Sequence, residues 1–141
     1  MTSTLQQRPN LHLQRQGTIF ILTLQKPPEN RLNTKFCQDI IATFRYIQRL
    51  LGPLSEGAVI TRGNEAKFFC TGVELDEADY NPFANSDGFY PMLHTILDFP
   101  YPTIALINGH CFGGACPFVL AHDYRVMNSN RGYLQMVSFP V

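Results

Sequence analysis

Apolar positions along this chain first alternate, then recur at a helical period, then return in short unbroken runs, and each change of period marks an element. Leu11-His12-Leu13 and Thr18-Ile19-Phe20-Ile21-Leu22-Thr23-Leu24 flank Gln16-Gly17, which predicts an antiparallel strand pair turning there. Lys26-Pro27-Pro28-Glu29-Asn30 ends the second strand, because proline has no N–H to give a sheet ladder. From Asn33 or Thr34 the period becomes helical, with Phe36, Ile40, Ile41, Phe44, Ile47, Leu50 and Leu51 on one face until Gly52-Pro53 stops it. Ala58-Val59-Ile60-Thr61, short and apolar between Gly57 and Gly63, predicts a buried parallel strand.

Further along, Asp76 to Asp87 reads as a loose polar region, followed by a helix over Tyr90 to Leu97. Ile104-Ala105-Leu106-Ile107 reads as a strand that Asn108-Gly109 turns, and a helix follows from about Gly114 to Ala121. Pro117 is tolerated in that helix because its missing N–H falls in the first turn. Tyr124–Met127 and Tyr133–Val137 read as two more strands around the turn Asn128 to Gly132. Residues 1–10 are polar and expected to be mobile, which leaves 11–141 as one α/β domain without a linker or charge run.

Composition narrows the function more than the fold. The chain has 141 residues, 45% of them hydrophobic, enough to build one core. Eleven basic and eleven acidic side chains give a formal net charge of +0, so no overall field draws the chain to nucleic acid or to an anionic membrane. No apolar run approaches the roughly 20 residues of a membrane span, and Met1 to Gln16 lacks the apolar block of a secretion signal. An intracellular setting is expected, with peroxisomal, mitochondrial and cytoplasmic all open. Cys37, Cys70, Cys111 and Cys116 have no metal-ligand spacing and read as small buried thiols, although a helix N-terminus can activate one. His12, His94, His110 and His122 read as packing or surface residues, with His110 and His122 also open as ligands.

Candidate chemistry lies in Phe69-Cys70-Thr71-Gly72-Val73-Glu74-Leu75 and Gly109-His110-Cys111-Phe112-Gly113-Gly114-Ala115-Cys116. Each passes from a predicted strand through glycine into a predicted helix. Backbone N–H groups at such a turn have no intrahelical partner and can hold a developing negative charge. Gly72 and Gly113 let the main chain approach a ligand with no Cβ in the way. Acyl or enolate chemistry is the leading reading.

These segments, with Asn30-Arg31-Leu32-Asn33, Pro102–Gly109 and Leu120–Val126, occur in the order found in the crotonase family, the enoyl-CoA hydratase and isomerase superfamily. The pattern most resembles its Δ3,Δ2-enoyl-CoA isomerase-like members. The resemblance implies a spiral of ββα units that binds an acyl-CoA thioester, with the backbone N–H groups of Val73 and Gly114 polarising the carbonyl. It also places Arg31, Leu32, Lys67, Thr71, Gly72, Leu75 and Gly113 along the CoA and acyl path, with Lys67 or Arg62 offered to a phosphate. Coenzyme A belongs to the substrate, so no separate cofactor and no metal are expected.

Departures from the family pattern carry as much weight. Where hydratases of the family have two glutamates, this chain has Pro117 and Val137, neither of which can transfer a proton. Isomerisation is therefore favoured over hydration. Thioester hydrolysis or dehydration on the same scaffold, and a catalytically silent binding protein, are the alternatives. Glu74, Asp76, Glu77 and Asp79 are possible substitute bases, though a solvated acidic loop is favoured for them. Family members are about twice this length, so residues 11–141 read as the N-terminal part of a crotonase-like acyl-CoA-binding domain, truncated after an apolar run. A homotrimer is expected only of a full-length form.

Overall fold

The computed structural model describes residues 1–52, 56–65 and 67–136, except the side chain of Ala78. Strands β1 (Ser3–Arg8), β2 (Leu11–Gln16) and β3 (Ile19–Leu24) form an antiparallel meander, with Gly17 supplying the left-handed residue of the β2–β3 turn at φ 63°. The polar start is thus not a loose tail: Ser3 to Arg8 pairs with β2 from Arg15 to Leu11. Alternation in β1 is carried by Leu5 against otherwise polar residues, a signal too weak to read as a strand without its partner.

Helix α1 (Thr34–Leu51) starts where its period begins, because the Asn33 carboxamide oxygen accepts the Phe36 N–H at 2.7 Å and caps it. Its buried face holds Phe36, Cys37, Ile40, Phe44, Ile47 and Leu51, with Thr43 among them. Ile41 and Leu50, expected on that face, sit at its margin and are only partly buried. The Thr43 hydroxyl is accommodated inside by donating to the Asp39 carbonyl at 2.8 Å.

After α1 the chain winds in repeated passes. Strands β4 (Ala58–Gly63), β6 (Thr103–Ile107) and β8 (Tyr124–Met127) extend the first sheet in parallel, giving the order β1-β2-β3-β4-β6-β8. Strands β5 (Phe68–Cys70), β7 (His110–Phe112) and β9 (Leu134–Gln135) make a second, three-stranded parallel sheet. Each pass lays one strand in each sheet, and helices α2 (Leu75–Tyr80) and α4 (Ala115–Leu120) close the first two passes. Because β5 and β7 are parallel neighbours, their C-terminal ends emerge side by side.

The region from Asp76 to Asp87 is more ordered than its polarity predicts. It contains α2 and a π-helical turn over Asn85–Phe89 that runs into α3 (Tyr90–Leu97) and packs on α1. Gly88 permits that contact: a Cβ there would lie 3.0 Å from the Thr34 Cα. The core is mainly apolar, with Phe20, Phe36, Phe44, Phe69 and Phe118 fully buried. Phe44 meets Phe99 edge-on at 5.2 Å, and Phe69 meets Phe118 at 6.0 Å, which ties β5 to α4.

Candidate active site

The two glycine turns at the ends of β5 and β7 face each other. A Cβ built on Gly72 would lie 3.0 Å from the Phe112 carbonyl oxygen and 3.2 Å from the Gly114 nitrogen. One on Gly114 would lie 3.2 Å from Cγ1 of Val73. Gly72 (φ 103°) and Gly113 (φ 57°) both occupy the left-handed region, so each turn needs the residue that takes it without strain.

Peptide geometry then aims the donors. In a planar trans peptide the C=O and the following N–H point in opposite directions. The Gly72 carbonyl accepts the Leu32 N–H at 2.8 Å, so the Val73 N–H of the same peptide points away from Leu32. The Gly113 carbonyl accepts the Cys116 N–H at 2.9 Å, so the Gly114 N–H points away from the body of α4. No described residue accepts a hydrogen bond from either N–H. Both residues line a cleft of about 690 Å³.

Arg31, Thr71, Gly72, Leu75 and Gly113, which the resemblance places along the ligand path, line the same cleft. Leu32 does not: its side chain is 2% exposed in the core, and its backbone acts instead by bracketing Val73, accepting the Glu74 N–H at 2.8 Å. Lys67 is exposed and rests over the Phe68 ring at 5.2 Å, outside the cleft wall. Arg62 is half-buried along β4, its Nε donating to the Thr23 hydroxyl at 3.0 Å.

Phe68 falls within the run Lys67 to Leu75 that the resemblance places along the ligand path, whereas Glu29, Phe112, Gln135 and Met136 escape a reading of the sequence. Phe68, Phe112 and Met136 make the cleft mostly apolar, and Gln135 adds an amide. Glu29 is the one carboxylate on the wall among the described residues. Arg31 Nε and the Thr71 hydroxyl both donate to its Oε2 at 3.0 Å, and those hydrogen bonds hold Glu29 below the usual carboxylate range. The run Pro27-Pro28-Glu29 signals only a strand end; no local pattern announces that its last residue meets Thr71.

Two of the possible substitute bases are engaged elsewhere. Glu77 is buried, accepting from the Thr34 N–H at 2.9 Å and the Thr34 hydroxyl at 2.8 Å, so it caps α1 rather than lying on a solvated surface. Glu74 pairs with Lys26 and accepts from Asn33 at 3.4 Å. Asp76 and Asp79 are exposed, and none of the four lines the cleft. Pro117 lies in the first turn of α4; Val137 is outside the described residues.

All four cysteines are free, buried thiols. Burial pushes Cys37 and Cys70 up to about 12 and raises Cys111 and Cys116, which leaves no thiolate to act as nucleophile near neutrality. His122 is a core imidazole: its Nδ1–H donates to the Phe118 carbonyl and its Nε2 accepts from the Thr61 hydroxyl, both at 3.0 Å. Burial lowers its pKa to about 4. His110 is stacked between Phe112 and Tyr133, at 5.6 and 5.0 Å. Among the described residues, no group of three potential ligands is placed to hold a metal ion, and no helix is long and apolar enough to cross a membrane.

Known proteins share both the sequence pattern and the fold. Residues 14–138 match the enoyl-CoA hydratase/isomerase family. Enoyl-CoA delta isomerase 3 of Arabidopsis thaliana is 33% identical over 132 residues, which is 88% of this chain and 54% of that protein. Carnitinyl-CoA dehydratase of Citrobacter koseri is 32% identical over 127 residues, covering 88% and 48%. An enoyl-CoA hydratase structure from Geobacillus kaustophilus superposes with a TM-score of 0.83 at 21% identity, over 96% of this chain and 52% of that one, which shows the shared α/β crotonase fold. The chain thus spans about half the length of the curated relatives it matches.

Proposed function

Because this chain belongs to the enoyl-CoA hydratase/isomerase family, we propose that its cleft binds an acyl-CoA thioester with the carbonyl oxygen between the Val73 and Gly114 N–H groups. The observation that carries this reading is the pair of N–H groups, each aimed by its own peptide carbonyl and each without a partner among the described residues. Removing a proton from carbon beside a thioester sends charge to the carbonyl oxygen. Two fixed donors stabilise that enolate more than they stabilise the neutral carbonyl, and loss of one such donor typically costs about 3 kcal/mol of barrier. The apolar wall of Phe68, Leu75 and Phe112 suits the acyl and pantetheine portions, and Arg31 suits a phosphate.

Double-bond isomerisation is the reaction favoured over hydration. Hydration uses two proton-transferring groups around a water molecule, and Pro117 supplies none at the position next to the second turn. Isomerisation asks for one base that moves a proton from C2 to C4 across the enolate. Glu29 is held ionised by two hydrogen bonds and is a weak candidate for that base. The absence of a poised base among the described cleft residues also favours a second reading, acyl-CoA binding without turnover. An isomerase or hydratase assembly, a trimer included, belongs to the same proposal for a longer form.

The test uses 4-(dimethylamino)cinnamoyl-CoA, a push–pull thioester whose absorption moves to longer wavelength when its carbonyl is polarised. Saturable binding with a red shift is expected, and binding without a shift, or no binding, rejects the reading. The same chain is then given a 3-enoyl-CoA and a 2-enoyl-CoA. Appearance of the conjugated thioester from the first selects isomerisation, its loss from the second selects hydration, and neither change selects binding alone.

A further inference from the structure

We propose that Asn30 is a positioning residue for the first donor: it fixes the turn that presents Leu32 to Gly72 and so aims the Val73 N–H into the cleft. This deepens the acyl-CoA reading and rests on it. Asn30 is 2% exposed, and it is the single non-glycine residue with positive φ, at 56°, among those described. Asparagine and glycine tolerate that conformation where other residues are strained.

Its polar groups are all engaged, by Lys26, Phe69, Cys70 and, through Nδ2 at 3.4 Å, the Asn64 side-chain oxygen. The Lys26 N–H donates to Asn30 Oδ1 at 2.7 Å, and the Asn30 N–H donates to the Lys26 carbonyl at 2.8 Å, which closes the turn on itself. Asn30 Nδ2 donates to the buried Phe69 carbonyl at 2.9 Å, and the Cys70 thiol donates to the Asn30 carbonyl at 3.0 Å. The turn is thereby fastened to β5 immediately before Thr71-Gly72-Val73. Two residues after Asn30, Leu32 gives its N–H to Gly72 and takes that of Glu74. No atom of this set needs to touch substrate; Asn30 acts through Leu32.

Two variants separate the side chain from the backbone conformation. Asn30→Gly keeps the φ and removes every side-chain bond, whereas Asn30→Asp keeps the acceptor for Lys26 but replaces the Nδ2 donor to Phe69 and Asn64 with an oxygen that faces the Phe69 carbonyl. Each is titrated with 4-(dimethylamino)cinnamoyl-CoA and with the matching thioether, which has no carbonyl to polarise. We expect the red shift of bound probe to fall by roughly half or more in Asn30→Gly, and by no less in Asn30→Asp, whose carboxylate opposes the Phe69 carbonyl. Thioether affinity should stay within about threefold of wild type, because the cleft walls are untouched. A full red shift in both variants overturns the proposal. So does an equal loss of affinity for thioester and thioether, or loss of a cooperative melt in both, since Asn30 would then hold the fold and not the donor. A wild-type chain that binds the probe with no shift overturns the acyl-CoA reading itself.

Discussion

The two glycine turns have the same outline, yet they are held in place by different means. The second is secured by near neighbours and by its own sheet: Cys116 donates to the Gly113 carbonyl, Phe118 to that of Gly114, and the Gly113 N–H crosses to Gln135 at 2.8 Å. The first is secured by a separate stretch of chain, since Glu74 meets Asn33 41 residues upstream and Leu32 brackets the donor on both sides. Glu29 adds a backbone and a side-chain bond to Thr71, at 3.1 and 3.0 Å. Similar donor geometry thus rests on the turn's own helix and sheet in one case and on a separate stretch of chain in the other. The first turn should be the one that distant substitutions disturb.

The sharpest way to test that asymmetry is to add one methyl group to each turn. In Gly72→Ala the new Cβ meets backbone on the opposite turn, 3.0 Å from the Phe112 oxygen and 3.2 Å from the Gly114 nitrogen, at a φ of 103°. Left-handed strain plus overpacking predicts a loss of about 3–4 kcal/mol. Gly114→Ala has an ordinary φ of −60°, and its Cβ meets side chains, Val73 Cγ1 at 3.2 Å and a Phe89 ring carbon at 3.4 Å, that can give. Its cost should be about 1 kcal/mol or less. Urea melts of the two variants measure the difference, and equal midpoints would refute it.

Acid should break the second turn's support before the first. His122 joins α4, through Phe118, to β4, through Thr61, as a neutral imidazole. Its folded pKa of about 4 lies below the ordinary 6.5, so between those values the unfolded chain binds a proton that the folded chain refuses. Stability is therefore complete above pH 6.5 and falls as the pH drops toward 4, by at most about 3 kcal/mol. Melts across that window measure the loss, and His122→Asn should flatten the slope. Hydrogen exchange should rise first in residues 112–120 and later in 71–75.

Glu77 is the corresponding support for the first turn. Its carboxylate takes the Thr34 N–H and hydroxyl, so Asn33 and Glu77 between them cap the start of α1. Glu77→Ala should cost about 2 kcal/mol by leaving that N–H unpaired in a partly buried site. Exchange at 72–75 should accelerate while 112–116 stays as in wild type; acceleration of both would show the turns to be one cooperative unit.

The same division governs what the sequence discloses. The meander from β2, the span of α1, the buried parallel β4 and both glycine turns follow from hydrophobic period and from glycine, which act over a few residues. The turns that carry Val73 and Gly114 are legible for that reason, through Gly72 and Gly113, while the role offered to those two N–H groups comes from the family resemblance. The tertiary parts are not: β1 needs its partner to be seen, and Glu77 looks like one more acid in a polar loop until Thr34 is folded onto it. Glu29 on the cleft wall and Leu32 in the core are likewise decided by the pairing of residues 26–33 with 70–77, which no local pattern encodes. Lys67 is exposed over Phe68, where its charge still reaches Glu29 on the wall.

The Lys26–Glu74 pair gives the smallest expected effect and so the finest test of how the first donor is aimed. Both side chains are partly shielded, at 16% and 29% exposure, and Glu74 also accepts from Asn33. Glu74→Gln keeps the shape and an acceptor while removing the charge, so the loss should be below about 1 kcal/mol and smaller still in high salt. A double-mutant cycle with Lys26→Met isolates the pair itself. The orientation of the Val73 N–H depends on the Leu32 bond to the Gly72 carbonyl, which the charge does not enter. Polarisation of a bound thioester should therefore survive Glu74→Gln intact, and a reduced red shift would mean that the ion pair, and not the peptide plane, sets the donor.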